Sequence, residues 1–271
     1  MHCVAIIPAR YGSSRFPGKS LATLHGRPLI QHVVARCQAV EGIARVVVAT
    51  DDERIVSAVS ETTAEAVMTA GDFASGTDRV AHVAAQLEAD IIVNVQGDEP
   101  LINSSELAAA LRSFRASGAD YGTLRAPLRD AADLWNPNTV KVVVDGHGKA
   151  LYFSRAPLPF PLADSGGWQP AEAETSERGA LLFEQAPDLP GPYWIHVGVY
   201  LYRTPALLRW ARMPQSPLEI AEGLEQLRVL EAGECMHTYA VSESLPGVDT
   251  PEDLDRVRLA LGDSSIDENK P

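Results

Sequence analysis

The 271-residue chain is 45% hydrophobic and carries a formal net charge of −13, with cysteine at only three positions. That apolar content is enough for a core and excludes disorder over most of the length, while the acidity argues against nucleic acid, whose phosphates select basic surfaces. No apolar run reaches the roughly 18 residues a membrane span needs, and no charged start leads into an apolar leader; separated cysteines without a C-x-x-C pair point to a reducing, cytoplasmic setting.

Charge is unevenly spread. From Met1 to Val40 there is no Asp or Glu, yet Arg10, Arg15, Lys19, Arg27 and Arg36 all fall there. An acidic chain that keeps its opening free of carboxylates is suited to hold a small anion in that stretch.

In chain order, Val4–Ile7 reads as a buried parallel strand ended by Pro8. Pro28 is expected at a first helical position, with Leu29, Ile30, Val33 and Val34 at helical spacing behind it. Arg45–Thr50 reads as a strand, Glu53–Ser60 as a helix and Ala66–Met68 as a third strand. Thr77–Leu87 has helical spacing, with Ser75 or Thr77 as cap. Asp90–Val95 is the most apolar strand, and a helix follows from about Ser104 to Ser117. Strands alternating with helices at these spacings predict a doubly wound, mainly parallel α/β sheet, whose ligands bind beyond the carboxyl ends of its strands.

After residue 120 the pattern changes to a smaller antiparallel lobe, expected over about 127–210. Thr139–Val144, Asp145–Gly148 and Lys149–Phe153 read as a hairpin, and Trp194–Tyr202 as a further strand. Leu218–Leu230 reads as one amphipathic helix, and Thr250–Leu261 as a closing helix capped by Thr250 with Pro251 at its first position. The stretch Ala163–Pro192, poor in apolar anchors, is expected to be a mobile insertion. A single domain over 1–262 and a frayed tail over 263–271 complete the expectation.

Three stretches carry chemistry. Pro8–Lys19 (PARYGSSRFPGK) follows the first strand and sets three cations beside two glycines, a composition suited to a polyphosphate. It is not a P-loop, because five residues separate Gly12 from Gly18 where four are required, and Pro17 lacks the N–H the cradle needs. A Rossmann fingerprint is also missing. Val93–Pro100 (VNVQGDEP) puts Asp98 at a strand end, placed to hold Mg²⁺ on a nucleotide. Gly247–Leu254 (GVDTPEDL) puts Asp249 just before a helix, a position that taken alone is usually structural.

Together with ATDDERI, SGTDRVA, NPNTVKVVVD, ALYFSRAPLP and LEQLRVLEAGE, these stretches closely resemble the 3-deoxy-manno-octulosonate cytidylyltransferases (CMP-KDO synthetases), in family order over roughly residues 4–260. The resemblance implies transfer of CMP from CTP to the acidic sugar KDO with release of pyrophosphate, a homodimer, and a product that feeds lipopolysaccharide assembly. It implies that Arg10, Ser13 and Lys19 hold the CTP phosphates, that Ser75 and Gly76 approach the cytosine with Arg79 nearby, and that Gln96 serves the nucleotide site and lies close to the sugar. Asp98 and Asp249 would coordinate Mg²⁺. Arg15, Arg155, His196, Tyr200, Glu219 and Gln226 would line the sugar pocket.

Some readings stay open at this level. His196 and Tyr200 share one strand face, which suits a pocket or a core. Glu219 and Gln226, seven apart, would share one helical face, as a pocket wall or a dimer face. Cytidylyltransfer to another acid sugar (8-amino KDO or sialic acid), and a non-catalytic nucleotide-binding module, are the alternatives. The charges predict an in-line attack of the sugar hydroxyl on the α-phosphorus, and the lack of a Ser/Cys–His pairing in the matched loops predicts that no protein nucleophile takes part.

Overall fold

A computed structural model describes residues 1–13, 15–71, 73, 75–160 and 193–264. Its described residues divide into two compact units. The first takes those of Met1–Tyr121, Gly198–Arg212 and Leu245–Pro271, and the second those of Gly122–Val197 and Met213–Ser244.

The first unit is built on β1 (Cys3–Ala9), with every residue buried except the half-buried Pro8. A strand that is apolar along its whole length needs cover on both faces and a strand on each edge, and β1 has both edges paired. It pairs in parallel with β4 (Arg45–Thr50) and with β6 (Ile91–Asn94), Ile6 standing opposite Val47 and Asn94. β5 (Glu65–Met68) extends the parallel run beyond β4. On the other side the end of β10 (Trp194–Arg203) adds antiparallel to β6, with Tyr200 opposite Asn94.

The crossovers are helices α1 (Leu29–Gln38), α2 (Glu53–Ser60), α3 (Gly76–Ala84) and α4 (Ser104–Ser117). A two-stranded ribbon, β2 (Thr23–Leu24) with β3 (Arg27–Pro28), precedes α1, so Pro28 caps that helix and Leu29 opens it, one position later than the sequence suggests.

The second unit is antiparallel. β8 (Lys141–Val144) and β9 (Ala150–Ser154) form the expected hairpin, closed by the Asp145 carboxylate accepting from the His147 and Lys149 backbone N–H groups. Trp194 and Ile195 of β10 pair with Val142 and Lys141. Besides the β2–β3 ribbon, two strands lie outside the sequence expectations: β7, whose range Tyr121–Pro127 begins in the first unit, and β11 (Met236–Ala240). A short helix α5 (Ala131–Trp135) follows β7, and α6 (Thr204–Trp210) follows β10 in the first unit.

Three expectations need correction. The lobe is not 127–210: Gly198–Arg212 falls in the first unit and Met213–Ser244 in the second. Leu218–Leu230 is not one helix but two, α7 (Pro217–Glu222) and α8 (Leu227–Glu231), because Gly223 takes the left-handed conformation at φ 64° and ends the first. The seven-residue spacing of Glu219 and Gln226 therefore no longer puts them on one helical face. The closing helix α9 runs Pro251–Ser264, three residues past the expected end. The insertion expected over 163–192 lies outside the described residues, as does the tail from 265.

Candidate active site

In the first unit the opening loop leaves β1 and turns back on itself, the Tyr11 carbonyl accepting from both Ser13 N–H (2.9 Å) and Gly18 N–H (2.8 Å). Gly18 sits at φ 72°, and a Cβ there would come within 2.9 Å of the Tyr11 ring, so only glycine fits. The chain then enters a short 3₁₀ turn, Lys19–Leu21, which aims Lys19 inward. Lys19 Nζ donates to Asp98 Oδ2 at 2.5 Å and to Asp249 Oδ1 at 3.0 Å, and Arg15 Nη2 donates to Asp249 Oδ2 at 2.8 Å. Carboxylates 79 and 230 residues further along the chain thus meet on one ammonium.

Backbone contacts explain the meeting. After β6 the chain passes Gly97, where a Cβ would lie 3.0 Å from the Pro8 carbonyl, so the turn carrying Asp98 lies directly against the end of β1. The Asp98 carbonyl in turn accepts from Val248 N–H at 2.8 Å. Val248 is fully buried in a cluster with Leu24, Leu29, Leu101, Leu254 and Val257, which anchors the residue next to Asp249. Beyond it, Asp253 accepts from the backbone N–H groups of Asp249 and Thr250, and Thr250 Oγ1 accepts from Asp253 N–H. This reciprocal cap fixes the start of α9 and the main chain of Asp249.

The electrostatics follow from the crowding. Burial alone would lower the Lys19 pKa, but the facing Asp98 and Asp249 carboxylates raise it above the ordinary lysine value, so Lys19 stays charged. Glu99, beside them, is pushed up to about 8 by burial and by repulsion from Asp98 and Asp249, and is protonated at neutral pH. Two hard carboxylate oxygens already converge on one cationic point, which is a donor set suited to Mg²⁺. Among the described residues no group of three His, Cys, Asp or Glu forms a closed metal cage, so further ligands would come from phosphate or water.

Other expected residues of this unit are placed as follows. Arg10 and Arg15 are exposed and Ser13 half-buried. Ser75 caps α3, its hydroxyl accepting from Asp78 N–H at 3.1 Å. A Cβ on Gly76 would stand 3.5 Å from Gln96 Oε1, so these two expected nucleotide contacts are neighbours. Tyr200 stacks on Tyr202 with ring centroids 6.0 Å apart. Arg79 is buried and engaged: it donates to Thr69 and, at 2.8 Å, to Asp51 Oδ2. Asp51 also accepts from Tyr11 N–H at 3.4 Å, and the Arg54 guanidinium covers the Tyr11 ring at 3.5 Å. Tyr11, Asp51 and Arg54 shape the loop and Asp253 caps α9 without appearing among the sequence candidates; the only signal was that PARYGSSRFPGK, ATDDERI and GVDTPEDL belong to the shared motifs.

The second unit holds the remaining candidates. Arg155 Nε donates to the Glu222 carbonyl at 2.7 Å and Nη1 to the Pro137 carbonyl at 2.8 Å. His196 Nε2 and the Thr123 hydroxyl share a hydrogen bond of 2.8 Å, and the ring meets Phe153 edge-on at 5.0 Å. Burial pushes His196 down to about 3, so it is neutral. Glu219 is buried against Arg228, with Oε2 accepting at 2.7 Å and Oε1 at 2.5 Å, and it closes a capping box with Ser216. Both its oxygens are committed to that pairing, which makes Glu219 a support of α7 and α8. Gln226 is buried at the N-cap of α8.

Residues 4–237 match the family described as cytidylyltransferase. A 3-deoxy-manno-octulosonate cytidylyltransferase of Trichlorobacter lovleyi is 47% identical over 259 residues, covering 95% of this chain and 98% of that protein. One of the same name from Aeromonas salmonicida is 44% identical, covering 96% and 99%. Among solved structures, CMP:2-keto-3-deoxy-manno-octonic acid synthetase complexed with CTP superimposes with a TM-score of 0.84 at 41% identity, over 97% of this chain and 100% of that one. A cytidylyltransferase from Leptospira borgpetersenii, 16% identical with a TM-score of 0.58, shares the fold.

Proposed function

The chain belongs to the 3-deoxy-manno-octulosonate cytidylyltransferase family, and from that premise we propose that it transfers CMP from CTP to KDO, releasing pyrophosphate. The observation that carries the reading is the convergence of Lys19, Arg15, Asp98 and Asp249 at the carboxyl ends of β1 and β6, where an open α/β sheet binds its ligands.

The residues divide the work by charge. A tetra-anionic nucleotide and an anionic sugar repel each other, so cations must offset both. Arg10 and Lys19 neutralise phosphate oxygens as charge builds on them, and Ser13 supports the same loop. Ser75, Gly76 and Gln96 lie together as contacts for the nucleoside, with Gln96 extending to the sugar. Arg79 acts one step back, holding Asp51 and through it the Tyr11 turn. By the family resemblance Arg15 is assigned to the sugar carboxylate; taken by itself, the second unit offers Arg155 for the same role, and His196 there stays neutral as a hydrogen-bonding group. By the same resemblance Tyr200 is the sugar candidate of the first unit and Gln226 one of the second, where Glu219 supports the segment that carries it.

Asp98 and Asp249 would hold Mg²⁺, which supplies charge neutralisation on the triphosphate and acidifies the attacking hydroxyl. The sugar hydroxyl then attacks the α-phosphorus in line, and no side chain of the loop forms a covalent adduct. The homodimer is carried by the family resemblance, and exposed Leu151, Leu218 and Ile220 of the second unit are apolar surface available to it. Separated free cysteines favour the cytoplasm. No described helix is long and apolar enough to cross a membrane.

The test is pyrophosphate release from purified protein with Mg²⁺, CTP and KDO, against UTP, GTP, sialic acid, 8-amino KDO and metal-free controls. Release confined to CTP, KDO and metal is expected. Release with another acid sugar would move the acceptor, and binding of CTP without release in any arm would leave a nucleotide-binding module instead.

A further inference from the structure

Among the described residues Lys141 is the one lysine with no exposed surface. Its ammonium has three donors, and all three are used on main-chain carbonyls: Asn136 at 2.9 Å, Thr139 at 2.6 Å and Arg155 at 2.7 Å. Two of these acceptors flank Pro137, whose own carbonyl accepts from Arg155 Nη1. The circuit is closed: Lys141 holds the Arg155 main chain and the 136–139 turn, and the turn holds the Arg155 guanidinium.

A second anchor works from the other side. Glu222 accepts from Arg155 N–H at 2.9 Å and from Ser154 Oγ at 2.6 Å, and its carbonyl takes Arg155 Nε. With Nε and Nη1 tied, Nη2 makes no hydrogen bond among the described residues. Burying an ammonium with no carboxylate oxygen in ion-pair contact among the described residues is costly, even with Asp133 and Glu222 acting on it from farther off, and an apolar side chain of similar length would avoid that cost. What the ammonium provides instead is a single point that fixes three carbonyls at once.

We infer that Lys141 is a positioning residue for the acceptor site: by fixing Arg155 it sets where Nη2 presents its charge, and so determines selectivity for a carboxylate-bearing sugar. This rests on the reading above that Arg155 meets that carboxylate. Lys141 touches no substrate atom and acts only through Arg155.

The experiment is steady-state kinetics of the full chain with Lys141→Met and Glu222→Gln, using CTP with KDO and with the KDO carboxamide, alongside thermal unfolding. Lys141→Met should raise KM for KDO at least tenfold, leave KM for CTP within twofold, and shrink the preference for acid over amide. Glu222→Gln keeps the side-chain shape and the backbone acceptor, so it should show the same selective effect at about threefold, and it serves if Lys141→Met does not fold. A fall in melting temperature with KM for KDO and the acid-to-amide ratio unchanged, in either variant, overturns the inference. No turnover by the unmodified protein would instead sink the functional reading, and this inference with it.

Discussion

Lys19 and Lys141 are both drawn away from solvent, but what faces each ammonium differs in kind. Lys19 meets two carboxylates, Asp98 and Asp249, in a site whose charges balance only locally and can be exchanged for those of a ligand. Lys141 donates to three neutral carbonyls and, among the described residues, to no carboxylate oxygen. The shifts point in opposite directions: carboxylates raise Lys19, while burial pushes Lys141 down to about 8. A charge held by opposite charge can take part in chemistry, whereas a charge held by carbonyls organises the chain around it.

The sharpest way to break this contrast is at Asp98. Asp98→Asn keeps shape and hydrogen bonding but removes one of the charges facing Lys19, and turnover should fall roughly 10²–10³-fold, as for loss of one electrostatic group acting in the transition state. The check is kcat at saturating Mg²⁺, CTP and KDO; an unchanged value would remove Asp98 from the metal assignment. The next effect in size is on stability. Gly97→Ala puts a methyl group 3.0 Å from the Pro8 carbonyl, and since that neighbour is backbone, the strain should cost about 1–3 kcal/mol. Urea unfolding of the variant against the parent measures it, and a cost near zero would mean that the turn carrying Asp98 is not pinned to β1.

Lys141 gives a test with a sign. In the folded chain it releases its proton near pH 8, against 10.5 for an ordinary lysine. Between those values the unfolded chain binds more protons, so unfolding free energy should gain from this group as pH rises through the window. Below pH 8 both states hold the proton and the burial penalty stands in full. Lys141→Met should flatten this part of the stability profile. An equal slope in parent and variant would show that the three carbonyls offset the burial completely.

The same contrast governs what could be read from residue order. In the first unit, apolar runs and helical spacing repeat cleanly, so Arg45–Thr50 and Glu53–Ser60 appear with their observed bounds. In the second unit the signals mix. Tyr121–Pro127 contains a glycine and ends on proline, and Met236–Ala240 is short and half polar, so neither reads as a strand. Amphipathic spacing runs straight through Gly223, whose left-handed turn shows only in the backbone. At the site, Lys19, Asp98 and Asp249 were accessible because their motifs occur together. Tyr11, Asp51, Arg54 and Lys141 were not, because each matters through a partner that is distant in sequence or is a main-chain atom, and side-chain patterns do not reveal such partners.

Asp253 offers the smallest effect and separates support from chemistry within the first site. Its carboxylate takes the N–H groups of Asp249 and Thr250 at 3.0 and 2.9 Å, and burial of that carboxylate is more than offset by these bonds, so its pKa is lowered. Asp253→Ala removes a helix cap, which should cost about 1 kcal/mol, and frees the main chain of Asp249. Asp253→Asn keeps an oxygen acceptor and should recover most of the stability. If Asp249 acts as assigned, the alanine variant should also need more Mg²⁺ to reach half-maximal turnover, while KM for KDO stays put. A stability loss with an unchanged Mg²⁺ requirement would confine Asp253 to capping α9 and leave the position of Asp249 to the packing of Val248 and to its pairing with Arg15 and Lys19.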